Sequence, residues 1–395
     1  MRTERGEHSA VLSGVGLSRV GRRLGVDGLA LTVDATLAAL ADAGLTVADI
    51  DGISTYPGQQ TDTPGYSPVG VTELKEALRL ELDWFCGGAE LPGQFGAIVN
   101  AIAAVHAGFA RHVLCFRTLT ESSDQTRERR ASLVGARPGR VADRFQWQVP
   151  FLAASSASWI AMSAQRYFHE FGATRDQLAQ IALTCRAHAE LTEHAVYRTP
   201  LTMADYLGAR PISTPLGLYD CDVPVDGSVA VIVSHRDTIP DLRRPPVRVE
   251  AVGTALHGRD SWDQRADITT MAASDAAAMM WSRTDLRPSD VDTAQVYDGF
   301  SYLALAWLEA LGFCPHGEGA RFIEGGDRIR LGGELPMNTA GGQLSGGRLH
   351  GFGLLHEAIV QLQGDAAGRQ VPDARVAVAA AGGGPLGGCL LLTRP

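Results

Sequence analysis

The stretch DATLAALADAGLTVADIDGISTY, residues 34–56, decides the fold because the chain contains a second version of it. It can be laid without a gap on DAAAMMWSRTDLRPSDVDTAQVY, residues 275–297, so that the final residues Tyr56 and Tyr297 coincide. Each copy has the apolar spacing of an amphipathic helix, followed by a short turn and a strand. The sequence therefore predicts two similar halves.

Matching elements surround the two copies. An apolar strand pattern precedes each of them, at residues 10–16 and 247–253. Each half closes with a helix rich in small residues, at 96–108 and 350–364, and then another apolar strand. Strand–helix–strand units of this spacing predict parallel strands and an α/β fold. Helices rich in alanine and glycine can pack closely against backbone, as a helix between two sheets must.

A short arginine–proline segment, residues 243–246, indicates the joint between the halves. We therefore predict an N-terminal half over residues 1–240 and a C-terminal half over residues 245–395. An insertion at about residues 118–213 interrupts the first half and opens with an arginine-rich stretch. Those arginines could neutralise the phosphates of a nucleotide-bearing substrate, or they could simply form a solvated loop.

Composition excludes several functional classes. The 395 residues are 45% hydrophobic and 20% charged, typical of a globular protein, and the net charge of −9 argues against a nucleic-acid partner. No apolar run approaches the length of a membrane span, and no signal-peptide core follows the N-terminus, so we expect a cytoplasmic protein. Lys75, the only lysine, lies in a charged helical pattern, which argues against Schiff-base and pyridoxal-phosphate chemistry.

Metal and disulfide sites are also not expected. The six cysteines are scattered without a CxxC pair, which disfavours structural zinc and a disulfide scaffold. No cluster of histidine and acidic residues has convincing metal-ligand spacing. We expect neither a metal nor a cofactor.

The richest candidate for a functional loop is residues 335–353, which hold six glycines in their last thirteen residues. Glycines permit unusual backbone angles and leave backbone N–H groups uncovered. A plain glycine-rich turn is the alternative interpretation. The candidates from this loop are the side chains of Asn338, Arg348 and His350 and the backbone of Gly341, Gly342 and Gly347.

A second candidate site follows the strand of the second repeat copy, where Tyr297 and Asp298 stand. Functional groups of parallel α/β sheets gather at the carboxyl ends of strands, so we predict that both contribute to a site. A buried tyrosine whose hydroxyl is satisfied is the alternative. Two further candidates are the C-terminal glycine run with Gly382 and Gly383, and Cys86, which precedes two glycines.

These features together resemble the thiolase superfamily. The loop NTAGGQLSGGRLHG, residues 338–351, resembles the loop that carries the thiolase catalytic histidine, and YDGF, residues 297–300, resembles a second thiolase motif. Residues 215–227 and 311–318 are similar to motifs of the lipid-transfer-protein branch, which holds sterol-carrier-protein-x-like thiolases and steroid side-chain aldolases. The resemblance covers nearly the whole chain. It implies a thiolase-like α/β fold, in which two βαβαβ halves form an αβαβα layered structure.

The chain departs from thiolases at the reactive positions. The resemblance puts the thiolase nucleophile near Leu91, five residues after Cys86, and puts the catalytic histidine at Arg348. The second thiolase cysteine is replaced by Ala380 or Ala381. Thiol chemistry of the thiolase kind is therefore disfavoured.

The aldolase branch also lacks the thiolase cysteines. Its members cleave a tertiary alcohol β to a CoA thioester and release a ketone and a shorter acyl-CoA. A pair of tyrosines lines the site in that branch. Tyr297 matches the first, and Arg348 stands in place of the second.

The resemblance therefore implies a carbon–carbon lyase acting on an acyl-CoA with a bulky, steroid-like chain. A retro-aldol step needs a base for the hydroxyl proton and donors for the thioester enolate. We predict that Tyr297 or His350 moves the proton, while Arg348, Asn338 and loop amides hold the thioester oxygen. One alternative is an acyltransferase that uses Cys86, and another is a non-catalytic lipid-binding or scaffold subunit.

The resemblance also implies partners. Thiolase-fold enzymes are dimers, and this branch often works with a small OB-fold protein that helps to bind the acyl-CoA. We therefore expect a homodimer and a possible OB-fold partner in lipid or steroid metabolism.

Overall fold

The structure is a computed structural model that describes residues 5–61, 63–88, 93–125, 145–153, 155–259, 262 and 265–394. The predicted arginine-rich stretch between residues 127 and 144 lies outside these ranges. Strands of the first half are β1 Ala10–Leu17, β2 Gly52–Thr55, β3 Trp84–Gly87, β4 His112–Thr120, β5 Pro211–Ser213, β6 Leu216–Gly217 and β7 Asp226–His235. Strands of the second half are β8 Val247–Gly253, β9 Thr293–Gln295, β10 Val376–Gly382 and β11 Gly387–Thr393.

Helices connect these strands. The longer ones are α1 Gly28–Ala43, α2 Val71–Leu78, α3 Gly96–His106, α4 Ser156–Phe171, α5 Arg175–Glu190, α6 Met203–Gly208, α7 Ala272–Ser282, α8 Ser301–Ala310 and α9 Phe352–Gln363. One-turn helices lie at Glu121–Asp124, Phe145–Gln148 and Gly319–Phe322, and a π-type turn lies at Gly342–Gly346.

The strand order repeats across the joint between the halves. The order is β3-β2-β4-β7-β1 in the first half and β8-β11-β10-β9 in the second. Read outward from the contact between β1 and β8, β7 corresponds to β11, β4 to β10, and β2 to β9. Within each half, β7 or β11 runs antiparallel to its neighbours, and the strand–helix–strand units run parallel to each other. The duplication predicted from the sequence is thus a duplication of topology.

Three apolar clusters account for the layers. One lies between the first half's sheet and the helices α1 and α2. A second holds α3 and α9 between the strands of both halves. The third packs α7, α8 and the insertion helices α4 and α5 against the second half's sheet. The order helix, sheet, helix, sheet, helix is the predicted αβαβα arrangement.

Glycines in corresponding strands let the helices approach closely. A Cβ added at Gly16 of β1 would lie 2.2 Å from the Ala35 carbonyl oxygen of α1. A Cβ added at Gly253 of β8 would lie 2.1 Å from the Ala276 carbonyl oxygen of α7. Ala35 and Ala276 occupy the same place in the repeat, so both halves use the same close contact.

Candidate active site

Three segments that are distant in sequence meet where β9 ends. They are residues 221–224 before β7, residues 297–300 after β9, and the glycine-rich loop 338–351 before α9. Backbone hydrogen bonds join them: the Asp222 N–H donates to the Gly299 carbonyl oxygen at 3.1 Å, and the Arg348 N–H donates to the Val223 carbonyl oxygen at 2.8 Å. The side chains of Asp222, Tyr297 and Arg348 are therefore held on a fixed backbone.

Arg348 lies between two carboxyl groups. Its Nη2 donates to Glu121 Oε2 at 2.5 Å, and its Nη1 donates to Asp222 Oδ1 at 3.2 Å. The Arg348 side chain is one-fifth exposed, whereas both acids are nearly buried. Burial alone would lower the Arg348 pKa. The negative charges of Asp222 and Glu121 outweigh this effect and raise the pKa above its ordinary value, so the guanidinium is permanently charged.

Asp222 has a strongly perturbed carboxyl group. Burial raises its pKa to about 7, the Arg348 charge acts in the opposite direction, and the nearby Glu121 and Asp298 charges add to the rise. A carboxyl group with a pKa near neutrality can accept a proton and return it at physiological pH. Asp222 therefore has the properties of a general acid–base group.

Tyr297 extends from the end of β9 and packs over Gly299, where an added Cβ would lie 2.6 Å from the tyrosine ring carbon Cε1. Burial raises the pKa of its phenol, and the neighbouring Asp222 raises it further, against the effect of Arg348. The phenol is therefore neutral at pH 7 and is a hydrogen-bond donor rather than a base.

His350 lies on the other side of Glu121. Its Nε2 is 3.8 Å from Glu121 Oε2, and its Nδ1 is 3.3 Å from Nη2 of the buried Arg117. The ring of Tyr66 packs against the imidazole edge to face, with centroids 4.8 Å apart. Burial, Arg117 and Arg348 together hold the His350 pKa well below its ordinary value.

Asn338 and Asp298, also predicted for the site, are engaged with backbone. Asn338 Oδ1 accepts from the Val296 N–H at 2.8 Å, and its Nδ2 donates to the Val296 carbonyl oxygen at 2.9 Å. The Asp298 carboxyl group accepts from the Gln343 N–H at 2.8 Å, and Cys185 Sγ lies 3.6 Å away. Burial raises the Asp298 pKa to about 6. These contacts hold the glycine-rich loop against the end of β9.

The predicted glycines lie in two turns, one of which is in the glycine-rich loop that carries Arg348 and His350. Gly341, Gly342 and Gly347 have φ angles of +93°, +56° and +121°. A Cβ added at Gly342 would lie 1.9 Å from Asp298 Oδ2, so glycine is required there. Gly382 and Gly383 join β10 to β11, and the Gly382 carbonyl oxygen accepts from Trp307 Nε1 at 2.9 Å. Substrate binding by these glycines stays a prediction.

The structure also locates the six cysteines. Cys86 is in β3, and Asn100 Nδ2 donates to its sulfur at 3.3 Å. It is not at the first turn of α3, and the position near Leu91 lies outside the described residues. Burial raises the pKa of the other five thiols, at Cys115, Cys185, Cys221, Cys314 and Cys389.

Within the described ranges, no three histidine, cysteine or acidic side chains are grouped so that they could hold a metal ion. Among the helices of that part of the chain, none is long and apolar enough to cross a membrane.

Sequence reasoning missed four side chains of the centre. Asp222 falls within residues 215–227, a stretch singled out only as a motif. Arg117 and Glu121 stand at the carboxyl end of β4, where the argument used for Tyr297 could have found them. Tyr66 carries no sequence signal, because it belongs to an irregular segment before α2.

The chain is similar to several known proteins. Residues 254–389 match the family described as "Thiolase C-terminal domain-like". The chain is 33% identical over 396 residues to the steroid side-chain-cleaving aldolase of Thermomonospora curvata, covering 97% of each chain. It is 32% identical to the 17-hydroxy-3-oxo-4-pregnene-20-carboxyl-CoA lyase of Mycobacterium tuberculosis, covering 97% of this chain and 98% of the lyase. The solved structure of the Ltp2-ChsH2(DUF35) aldolase matches with a TM-score of 0.85 and 31% identity over 98% of each chain.

Proposed function

The chain belongs to the thiolase superfamily, in the branch of the steroid side-chain-cleaving aldolases, and we propose that it is a carbon–carbon lyase of that kind. The substrate would be a β-hydroxyacyl-CoA with a bulky, steroid-like chain, and the products a ketone and a shorter acyl-CoA. One observation carries the proposal: Asp222, Tyr297 and Arg348 meet at the end of β9 and combine a titratable carboxyl group, a neutral phenol and a fixed cation.

The reaction divides into a deprotonation and a cleavage. A base removes the proton of the β-hydroxyl group, and the carbonyl double bond forms as the bond between Cα and Cβ breaks. The electron pair of that bond moves into the thioester, which becomes an enolate. A proton then returns to Cα and completes the shorter acyl-CoA. No electrons are gained or lost overall, so the chemistry needs no redox cofactor.

The properties of the three side chains match these steps. Asp222 is the group that we assign as base, because a carboxyl pKa of about 7 is suited to proton transfer at neutral pH. The neutral Tyr297 phenol would donate a hydrogen bond to the substrate oxygen as charge develops on it. Arg348 would supply positive charge to the enolate while it holds Asp222 in place.

A product assay tests the reaction. The purified protein would be incubated with a panel of β-hydroxyacyl-CoA thioesters, alone and with a co-encoded small OB-fold protein, and the products identified by mass spectrometry. A ketone and a shorter acyl-CoA in equal amounts support the lyase. If neither mixture turns over any thioester, the scaffold alternative takes its place.

Removal of the Cys86 thiol separates the lyase from the acyltransferase alternative. Because Cys86 lies in β3 beside Asn100 rather than at the start of α3, we expect Cys86→Ala to retain lyase activity within about twofold. The measurement is the steady-state rate of ketone release, with Tyr297→Phe as the matched loss-of-activity control. Loss of turnover in Cys86→Ala, together with acyl labelling of Cys86 in the wild type, would favour the acyltransferase.

We propose a homodimer that works with a small partner protein. The matching solved aldolase is named for two components, Ltp2 and ChsH2(DUF35), and that supports a partner of the same kind here. Strand β3 ends the sheet order, and its Phe85 side chain is 65% exposed, which suits pairing with another strand. An acyl-CoA substrate supports a cytoplasmic location. Light scattering of the purified chain, with and without its partner, would give the stoichiometry.

A further inference from the structure

Arg117 is an unusual buried cation beside the proposed site. Its side chain is 1% exposed at the end of β4, and among the described residues no carboxylate lies within ion-pair distance of it. Its Nε atom has no hydrogen-bond partner within the same ranges, and its guanidinium lies over the Tyr66 ring, 4.7 Å from the centroid. Glu121 attracts the guanidinium only from beyond ion-pair distance, and burial of a charge without a close counter-ion is unfavourable, so a structural explanation alone is weak.

The contact between Arg117 and His350 fixes the imidazole tautomer. An arginine guanidinium has donors and no acceptor, so its Nη2 must donate to His350 Nδ1. Nδ1 then carries a lone pair, and the ring proton resides on Nε2. Nε2 lies 3.8 Å from Glu121 Oε2, which is too distant for a hydrogen bond. His350 therefore presents a donor that no group in the described residues uses.

The charges around His350 keep it neutral. Arg117 faces the ring from β4, Arg348 from the glycine-rich loop, and Tyr66 from the segment before α2. Glu121 is the only acid among these neighbours within the described ranges, and it is paired with Arg348 at 2.5 Å. Two cations and burial oppose one acid that is already neutralised. A neutral imidazole in such a field is a donor and a poor base.

We propose that His350 donates a hydrogen bond from Nε2 to the thioester oxygen as the enolate forms, and that Arg117 is the positioning residue that fixes this tautomer. This inference rests on the proposed lyase function. A neutral donor that is held in advance stabilises developing negative charge without first losing a proton of its own. His350 would then act as a hydrogen-bond donor, whereas its sequence position had also allowed a role in proton transfer.

Nitrogen-15 NMR of histidine-labelled protein tests the tautomer without substrate. His350→Gln identifies the signal of His350 among the 11 histidines. We expect a neutral ring with its proton on Nε2 at pH 7, and no protonation step near the ordinary histidine pKa of about 6.5. A proton on Nδ1, or a protonation step between about pH 6 and 7, would overturn the inference even if the lyase activity is real.

Substitution of Arg117 tests its role as the positioning residue. In Arg117→Met we expect the His350 ring to lose its fixed tautomer and to titrate, and kcat to fall at least about tenfold with little change in KM. Arg117→Lys keeps a cation and a donor, so it should restore part of both properties. Arg265→Met removes another largely buried arginine, which pairs with Asp275 and does not bind the glycine-rich loop, and should leave the His350 tautomer unchanged.

The two readouts fail in different ways. An unchanged His350 tautomer in folded Arg117→Met would refute the positioning role. If Arg117→Met does not fold, the wild-type spectrum and Arg117→Lys still decide the matter. Absence of turnover in the wild type with the expected tautomer present would instead contradict the proposed function.

Discussion

Asp222 and Glu121 share the guanidinium of Arg348, but they share it unequally. Glu121 has the shorter contact, 2.5 Å against 3.2 Å, and Asp222 has a pKa raised to about 7. One cation next to two buried carboxyl groups favours a single ionised acid, because the second negative charge is repelled by the first. The exchangeable proton of the site therefore belongs to Asp222.

Asp222→Asn should separate activity from stability. As a base, Asp222 must be ionised, so wild-type kcat should rise with pH through about 7. The asparagine variant should lose this limb and roughly 10²–10⁴-fold in rate, as measured by ketone release. The raised pKa means that Asp222 favours the folded state at low pH and that this contribution is lost as pH rises through about 7.

The same sign gives the expected stability of the variant. Because an ionised Asp222 is unfavourable above pH 7, Asp222→Asn should melt no lower than the wild type at about pH 8. Asp176→Asn, at an exposed position in the first turn of α5, is the control and should change neither activity nor its pH profile. An active Asp222→Asn variant with the wild-type pH profile would rule out Asp222 as the base.

The sequence can identify part of this site. Tyr297 is accessible to sequence reasoning because the internal repeat ends on it, and strand ends of α/β sheets carry function. Asp222 is not, since its importance depends on Arg348, which is 126 positions away in the sequence. Asn338 is a candidate for its polarity alone, and both ends of its amide are used by the Val296 backbone.

At the scale of elements, one carboxyl group anchors the π-type turn of the glycine-rich loop. Asp298 accepts from the Gln343 and Leu344 N–H groups, and Gly342 leaves room for its Oδ2 atom. This contact brings Arg348 and His350, which follow in the same loop, beside Tyr297 and Asp222. The loop therefore connects its contact with Asp298 to the reactive side chains.

Gly342→Ala should displace the glycine-rich loop from its contact with Asp298. A Cβ there would lie 1.9 Å from Asp298 Oδ2, and the φ of +56° alone disfavours alanine by about 1 kcal/mol. We expect a lower melting temperature and a severe loss of ketone release. Gly208→Ala, at the end of α6 with open space around it, should be neutral or slightly stabilising. If Gly342→Ala melted and reacted like Gly208→Ala, the loop would not depend on this contact.

Some helix ends can be predicted from the local sequence. The capping box at Thr174 and Gln177 is present at the start of α5, and Gly172 ends α4 in a left-handed conformation. Both depend on neighbours a few positions away. The antiparallel direction of β7 and β11 does not follow from the sequence pattern, because their pairing depends on β1 and β8 from distant parts of the chain.

For the whole molecule, the question is what holds the two halves together. The contact between β1 and β8 consists of two residue pairs, Val11 with Arg248 and Leu12 with Val247. Helix α9 lies in the apolar cluster that includes strands of both halves. Glu7, just before β1, forms a third connection, since Arg283 after α7 donates to both of its carboxyl oxygens, at 2.6 and 2.5 Å.

Glu7→Gln tests that connection. Burial alone would raise the Glu7 pKa, but the Arg283 hydrogen bonds lower it overall. The ion pair therefore contributes stability above the ordinary glutamate pKa of 4.5, and this contribution is lost as pH falls through the lowered value. We expect Glu7→Gln to reduce the free energy of unfolding by about 1–3 kcal/mol at pH 7, and by progressively less as the pH falls through the lowered Glu7 pKa.

A double-mutant cycle tests whether Glu7 and Arg283 stabilise the joint as a pair. Arg283→Met leaves the nearly buried Glu7 without its cation, so it should destabilise the protein more than Glu7→Gln, whose remaining arginine is one-third exposed. If the two residues act as a pair, the double variant should be less destabilised than the sum of the single variants. Additive losses, measured by denaturant unfolding at pH 7, would mean that Glu7 and Arg283 do not stabilise the joint as a pair. A lyase rate that stays near wild type in all three variants would place Glu7 and Arg283 outside the catalytic machinery. We expect this result because both residues are far from Asp222 in the sequence and belong to other elements.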